Sequence, residues 1–449
     1  MRRPATALLL AAALCTLAAG EAANDTSADE ANSTDTSIMF LEESPAPADL
    51  VVTRRLTHLA LGLQRVLRRR PGAGRTLLFS PLSVSAVLHL LWLGARGRTA
   101  EELASLLGSG PDPGPGLDEV LPSVARLTRR LYHSSAGTRV DVASAMFLQY
   151  GYPVLKGFAD TSRNTFNTEV YGAEFAAGGD VVAGQINGWV SSKTKHRINK
   201  LFDQALPPDT KVLLVSAIYF NGEWEYPFPA ETTFKRPFTI PRAAGEPPEL
   251  LQLHMMSNSG DLPYARSDEL GCRAVGLPYK GGQVVMYLVQ PLERGLEAFS
   301  ALEGNLTVER VDSLLGSLQE TPVIVSVPRM RIQSTFHLRG AVEQLGARAL
   351  FDPLEADLGR MSPGGVRPLD DNSTVQEGDN PGLYVGDLVH KVEIEVTETG
   401  TVASAVAAAT VTRDGSRVVL RFDRPFLFFI RHEPTGLLMF WGSVMRPVT

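Results

Sequence analysis

The order in which two hydrophobic periods occupy this chain constrains it most. Helical spacing comes first. Leu56, Leu59, Ala60, Leu63 and Val66 recur between Leu50 and Arg70 with arginines interleaved, which predicts an amphipathic helix. Phe79-Ser80-Pro81 leads into a strongly apolar helix over Leu82–Ala95, ended by Gly94-Ala95-Arg96-Gly97. Thr99 followed by Glu102 has the spacing of a capping box and opens the next helix. The tract Gly108–Gly116 is too rich in Gly and Pro for regular structure. After about residue 138 strand patterns enter: Val140–Leu148, Lys211–Phe220, Ala274–Tyr279, Val284–Val289, Pro322–Arg331 and Val392–Val396. Helical spacing returns at Val181–Thr194, Gly295–Leu302, Thr307–Leu318 and His337–Leu345. The chain ends on three strands, Val418–Phe422, Phe426–Arg431 and Leu437–Val444. Helices and then mostly strands, with no linker in the body, predict one α+β domain over residues 49–449.

Two shorter segments precede that body. Residues 1–20 carry Arg2 and Arg3, an apolar run from Ala5 to Ala19, and small residues at Ala18 and Gly20, the pattern of a secretory signal peptide. The run is too short for a membrane span, and no second one follows. Residues 21–48 hold seven acidic side chains and neither Lys nor Arg, so they are expected to be a disordered acidic tail. Cys15 leaves with the signal peptide and Cys272 remains as a lone core thiol, so a large apolar core must supply the stability. Asn24, Asn32, Asn305 and Asn372 each open an N-x-Ser/Thr sequon, which in a secreted chain marks surface glycosylation. No G-x-S-x-G elbow, H-E-x-x-H, C-x-x-C or P-loop occurs, so an enzyme is not expected, and no metal site is read. His254, His337 and His432 lie on ordinary strand or helix patterns and are read as structural.

The segment Glu398–Pro425 (ETGTVASAVAAATVTRDGSRVVLRFDRP) reads as strand and as loop. Counted by twos, Thr401, Ala403, Ala405, Ala407 and Ala409 form one small-residue face, and Val402, Ser404, Val406, Ala408 and Thr410 the other. The first face could enter a packed sheet without overpacking it. From Val411 to Arg417 the segment turns polar and charged, as an exposed loop does.

FSPLSVSAVLHLLWLGARGRTAEEL, beginning at Phe79, resembles the serpins, the serine protease inhibitor superfamily. INGWVSSKTKHRINKL, LLVSAIYFNGEWEYPF, VGLPYKGG, VPRMRIQSTFHLRGAVEQLG, FDPLEADLGRMS, VHKVEIEVTETGT and RPFLFFIRHEPTGLLMFWGSVMRP are similar to further serpin blocks in order, covering roughly residues 50–449. The resemblance implies three β-sheets, eight or nine helices and an exposed reactive-centre loop over about residues 398–422. It implies inhibition of a serine protease by suicide-substrate trapping, in which the cleaved loop inserts into the central sheet. The hinge would comprise Glu398, Gly400, Thr401, Ala403, Ala405 and Ala407. Val402 stands where the family often has Glu, but on the count above it faces outward. Ser80, Ser83 and His390 match the family's shutter, and Trp224 its breach. Ser216 stands where the family usually has Asn, so an altered shutter network is expected.

The family's spacing from Gly400 puts Asp414 before the cut bond; a loop one residue shorter on the hinge side puts Arg413 there. Arg413 suits a trypsin-like partner with an acidic specificity pocket and ranks first, Asp414 second and Arg417 third. A non-inhibitory serpin, a ligand carrier or plain substrate, is the alternative. Neither nucleic acid nor membrane is expected as a partner, and the chain is expected to be a monomer. The resemblance brings one further expectation, a glycosaminoglycan bound by Arg65, Arg68, Arg69, Arg70 and Arg75 near the first helix, or by Arg126, Arg129 and Arg130.

Overall fold

In the computed structural model, which describes residues 47–69, 76–108, 116–133, 137–242, 246–363, 382–400 and 417–448, helices and strands divide much as the two periods do. The α-helices among the described residues are α1 (Pro47–Arg68), α2 (Pro81–Gly94), α3 (Gly97–Leu106), α4 (Leu117–His133), α5 (Lys156–Phe166), α6 (Phe175–Lys193), α7 (Leu296–Asn305), α8 (Val308–Gly316) and α9 (Arg339–Gln344). The strands are β1 (Leu77–Phe79), β2 (Thr138–Gln149), β3 (Glu169–Ala173), β4 (Val212–Gly222), β5 (Phe234–Ile240), β6 (Glu249–Ser267), β7 (Cys272–Pro278), β8 (Val284–Pro291), β9 (Gln319–Pro328), β10 (Met330–His337), β11 (Val385–Val396), β12 (Val418–Arg421), β13 (Phe426–His432) and β14 (Leu437–Val444).

They form two ladders. A five-stranded sheet runs β10-β11-β4-β2-β3, and a nine-stranded one runs β1-β14-β13-β8-β7-β6-β9-β12 with β5 on β6. The long β6 pairs with β5, β7 and β9, so two of the three expected sheets share one continuous ladder. β4 is buried on both faces, which is why it reads in sequence as an apolar run broken only at Ser216 before its end at Asn221. One of its faces packs with α6, where Val182, Ala183, Ile186 and Val190 meet Leu213, Val215 and Ala217. The other turns Ile218 and Phe220 toward Phe428, Ile430 and Phe440 of the second sheet. α2 is apolar all round and correspondingly buried.

Three sequence expectations change. Pro322–Arg331 is not one strand: β9 stops at Pro328 and β10 starts at Met330 in the other sheet. Between them the Arg329 amide bonds the His254 carbonyl at 2.8 Å, so one residue carries the chain from ladder to ladder. Thr99 does not cap α3, whose N-cap is Arg96. It is buried inside the first turn, and its hydroxyl instead accepts from the Asp357 amide at 3.0 Å. His337 ends β10 rather than opening a helix, and pairs with Asp387 at 2.5 Å.

Candidate functional site

β4 and β11 are the central pair. They run parallel and hydrogen-bond directly, with Val389 opposite Val215, His390 opposite Ser216 and Ile394 opposite Phe220. Two groups of side chains tie the pair at different heights.

The first gathers Ser80, Ser83, Ser216 and His390. Ser80 caps α2: its hydroxyl accepts from the Ser83 amide at 3.2 Å, and Pro81 occupies the first helical position. The Ser80 amide donates to His390 Nε2 at 2.9 Å. That nitrogen must therefore carry its lone pair, which leaves the ring proton on Nδ1 facing the Ser216 hydroxyl at 3.3 Å. Ser216 also hydrogen-bonds the Ser83 hydroxyl. Burial drives the His390 pKa down to about 3, so the ring stays neutral. Ser216, shorter than Asn, thus still links helix to strand. Beside it lies a gap of about 10 Å³ shared with Val84, Leu214 and Leu388, at the lower limit for one water.

The second group lies where β4 and β11 end. Trp224 is buried, stacks on Tyr279 at 4.4 Å with ring planes 15° apart, and meets Phe228 edge-on. Its indole N–H donates to the Thr397 carbonyl at 2.9 Å, and its amide to the Thr399 carbonyl at 3.2 Å. The Phe228 amide donates to the Glu398 carbonyl at 2.7 Å. The Glu398 carboxylate accepts from the Thr233 hydroxyl at 3.1 Å and lies 3.9 Å from the Arg329 guanidinium. Gly400 reverses the chain: it bonds Thr397 in both directions and bridges Glu223 antiparallel. Its φ is +120°, and a Cβ there would stand 2.1 Å from the Gly222 carbonyl oxygen, so glycine is required twice over.

Thr401, Ala403, Ala405, Ala407, Arg413 and Asp414, with Asn24, Asn32 and Asn372, lie outside the described residues. Asn305 is exposed at the end of α7, and Thr307 of its sequon caps α8. Of the basic set, Arg126 is held by the buried Asp49, Arg68 by Glu303, and Arg65 by the Leu306 carbonyl, while Arg69 and Arg129 are exposed. Arg70 and Arg75 lie outside the described residues, as does the side chain of Arg130. Cys272 is fully buried and its thiol is pushed up to about 12, which removes it as a nucleophile. Among the described residues no cluster of metal-ligating side chains occurs, and no helix is long and apolar enough to cross a membrane. Sequence reasoning missed Tyr279, Thr233 and Arg329. Tyr279 stood within the quoted VGLPYKGG block, but nothing in its spacing points at Trp224.

A family model described as Serpin (serine protease inhibitor) matches residues 54–447. Iripin-2 of Ixodes ricinus is 32% identical over 391 residues, 85% of this chain and 91% of that protein. Serine protease inhibitor 28Dc of Drosophila melanogaster is 28% identical over 436 residues, 89% of this chain and 81% of that protein. The crystal structure of human thyroxine-binding globulin superposes with a TM-score of 0.77 at 23% identity, covering 90% of this chain and 100% of that one. The chain belongs to the serpin family, and its fold is the serpin α+β fold. Membership supports serine protease inhibition as the general activity.

Proposed function

We propose that this serpin is a secreted, glycosylated, monomeric inhibitor that traps a trypsin-like serine protease once, through insertion of its own loop. One observation carries the reading. β4 and β11 lie side by side in parallel, and the turn after β11 has already reversed the chain so that Gly400 bridges Glu223 antiparallel. A strand continuing from there between β11 and β4 would run antiparallel to both, with each edge donating to a partner. The small face of Thr401–Ala409 suits such an entry, and Arg413 is the bait.

In the proposed step the protease serine oxygen bonds the Arg413 carbonyl carbon. The Arg413–Asp414 amide bond breaks, and the Asp414 nitrogen leaves with a proton from the protease histidine. Insertion then outpaces hydrolysis of the acyl-enzyme. Incubation with trypsin and a denaturing gel test this. A stable adduct at the summed mass is expected, and N-terminal sequencing of the released fragment should begin at Asp414. Complete cleavage with no adduct, and no gain in thermal stability afterwards, would place the chain among substrate-type or carrier serpins. Secretion and glycosylation are checked by expression in animal cells: the protein should appear in the medium and lose mass on treatment with N-glycosidase.

A further inference from the structure

At the end of the five-stranded sheet where β4 and β11 begin, the connection from α6 to β4 stands off the strands and leaves a cavity of about 720 Å³. That volume lies within the range of small-molecule sites. Its inner wall is apolar, formed by Leu201, Phe202, Leu206 and Leu213, all buried. Into it from β11 comes Lys391, at a register where Ala217 lies opposite. An ammonium has three donors. The one hydrogen bond Lys391 makes among the described residues is to the Lys200 carbonyl at 2.5 Å.

The described carboxylates nearest this ammonium bond to other groups, although Glu393 keeps its Oε2 buried without a hydrogen-bond partner. Asp203 is paired with Lys200 at 2.8 Å. Glu393 accepts from Arg331 at 2.8 Å, and Asp387 from His337 at 2.5 Å and from the Leu388 amide at 2.8 Å. Asp209 is exposed at the rim. Of the remaining cations in the lining, Arg339 is bound to Glu343 at 2.9 Å. Lys391 is therefore a half-buried cation with no carboxylate within ion-pair distance among the described residues, beside an apolar wall. Desolvation lowers its pKa by more than the charges of Glu393 and Asp203 raise it.

We propose that this cavity binds a small amphipathic carboxylate, with its head group on the Lys391 ammonium and its apolar body over Leu206 and Leu213. The cavity is lined from both β4 and β11, the pair between which the loop is proposed to insert. Its test is read on the intact, uncleaved protein, so failure of the inference and failure of the inhibitory reading are distinguishable. Its probe is decanoate, with decanol as the uncharged isostere, titrated calorimetrically into the intact native protein. Decanoate should bind at least tenfold more tightly than decanol. Lys391→Gln should weaken decanoate at least tenfold and leave decanol unchanged. Thr335→Trp, built on an exposed residue of the cavity lining, should abolish both while retaining the thermal midpoint. Should Lys391→Gln not fold, the wild-type comparison and Thr335→Trp decide alone. The proposal is overturned by the absence of decanoate binding at millimolar concentration, by equal affinity for the two probes, or by undiminished binding to Thr335→Trp.

Discussion

At Ser216 and His390 the β4–β11 pair is tied by its own side chains to the N-terminus of a helix, whereas at Trp224 and Gly400 it is tied mainly through main-chain atoms under an aromatic cover. The two regions therefore fail differently. A side-chain network is lost when one partner is removed, because the others remain buried with their polar atoms unmet. A main-chain tie tolerates many side chains but not the loss of what covers or turns it. Only the first region holds a buried neutral imidazole, so only it carries a strong acid sensitivity.

Four measurements sharpen or break that contrast. Trp224→Ala should cost about 4 kcal/mol, the usual loss for a buried aromatic, read from the denaturant midpoint. A loss below about 1 kcal/mol would mean that the main-chain bonds hold without their cover. Gly400→Val should cost about 3 kcal/mol, because a side chain is strained at positive φ and meets the Gly222 carbonyl. An unchanged midpoint there would show that the turn is not part of the tie.

The third measurement is a pH profile. Burial lowers the folded-state pKa of His390 to about 3 and that of His89 to about 4, both below the ordinary histidine value of 6.5. The unfolded chain therefore takes up these protons first. The stability they contribute is whole above about pH 6.5 and is lost as the pH falls toward those lower values, by about 2 kcal/mol for each ring at pH 5. His390→Gln should remove close to half of that slope, whereas Trp224→Ala should lower the profile without changing its shape. Smallest is Ser216→Ala, at about 1 kcal/mol. It leaves His390 Nδ1–H and the Ser83 hydroxyl without this partner, but it also widens the adjoining gap of about 10 Å³ enough for a water to serve them. A loss near 3 kcal/mol would show that the gap stays dry.

Much of the fold was legible because burial writes itself into residue pattern. β4, covered on both faces, appears in sequence as an apolar run, and Leu437–Val444 was read to its limits. β6 was not read: over Glu249–Ser267 its exposure follows three successive partners rather than one alternation, and Gly260 and Pro263 interrupt it. The capping box at Thr99 misled because a tertiary partner, the 355–357 segment, claimed the hydroxyl. The site was legible only through family likeness. Ser80 and His390 stand 310 residues apart, and no periodicity joins them. Likeness also left Arg68 and Arg126 as candidate polyanion ligands, since sequence does not reveal that Glu303 and Asp49 come to meet them.

The direct parallel contact of β4 with β11 also bears on how long such a molecule lasts. Under the proposed insertion, the arrangement described is held back from a better-paired one by a barrier rather than by being the lowest state. Its working life is then a rate. Rates of that kind rise severalfold for every ten degrees, so a few hours of fever-like warmth would age a stock of this protein more than days in the cold.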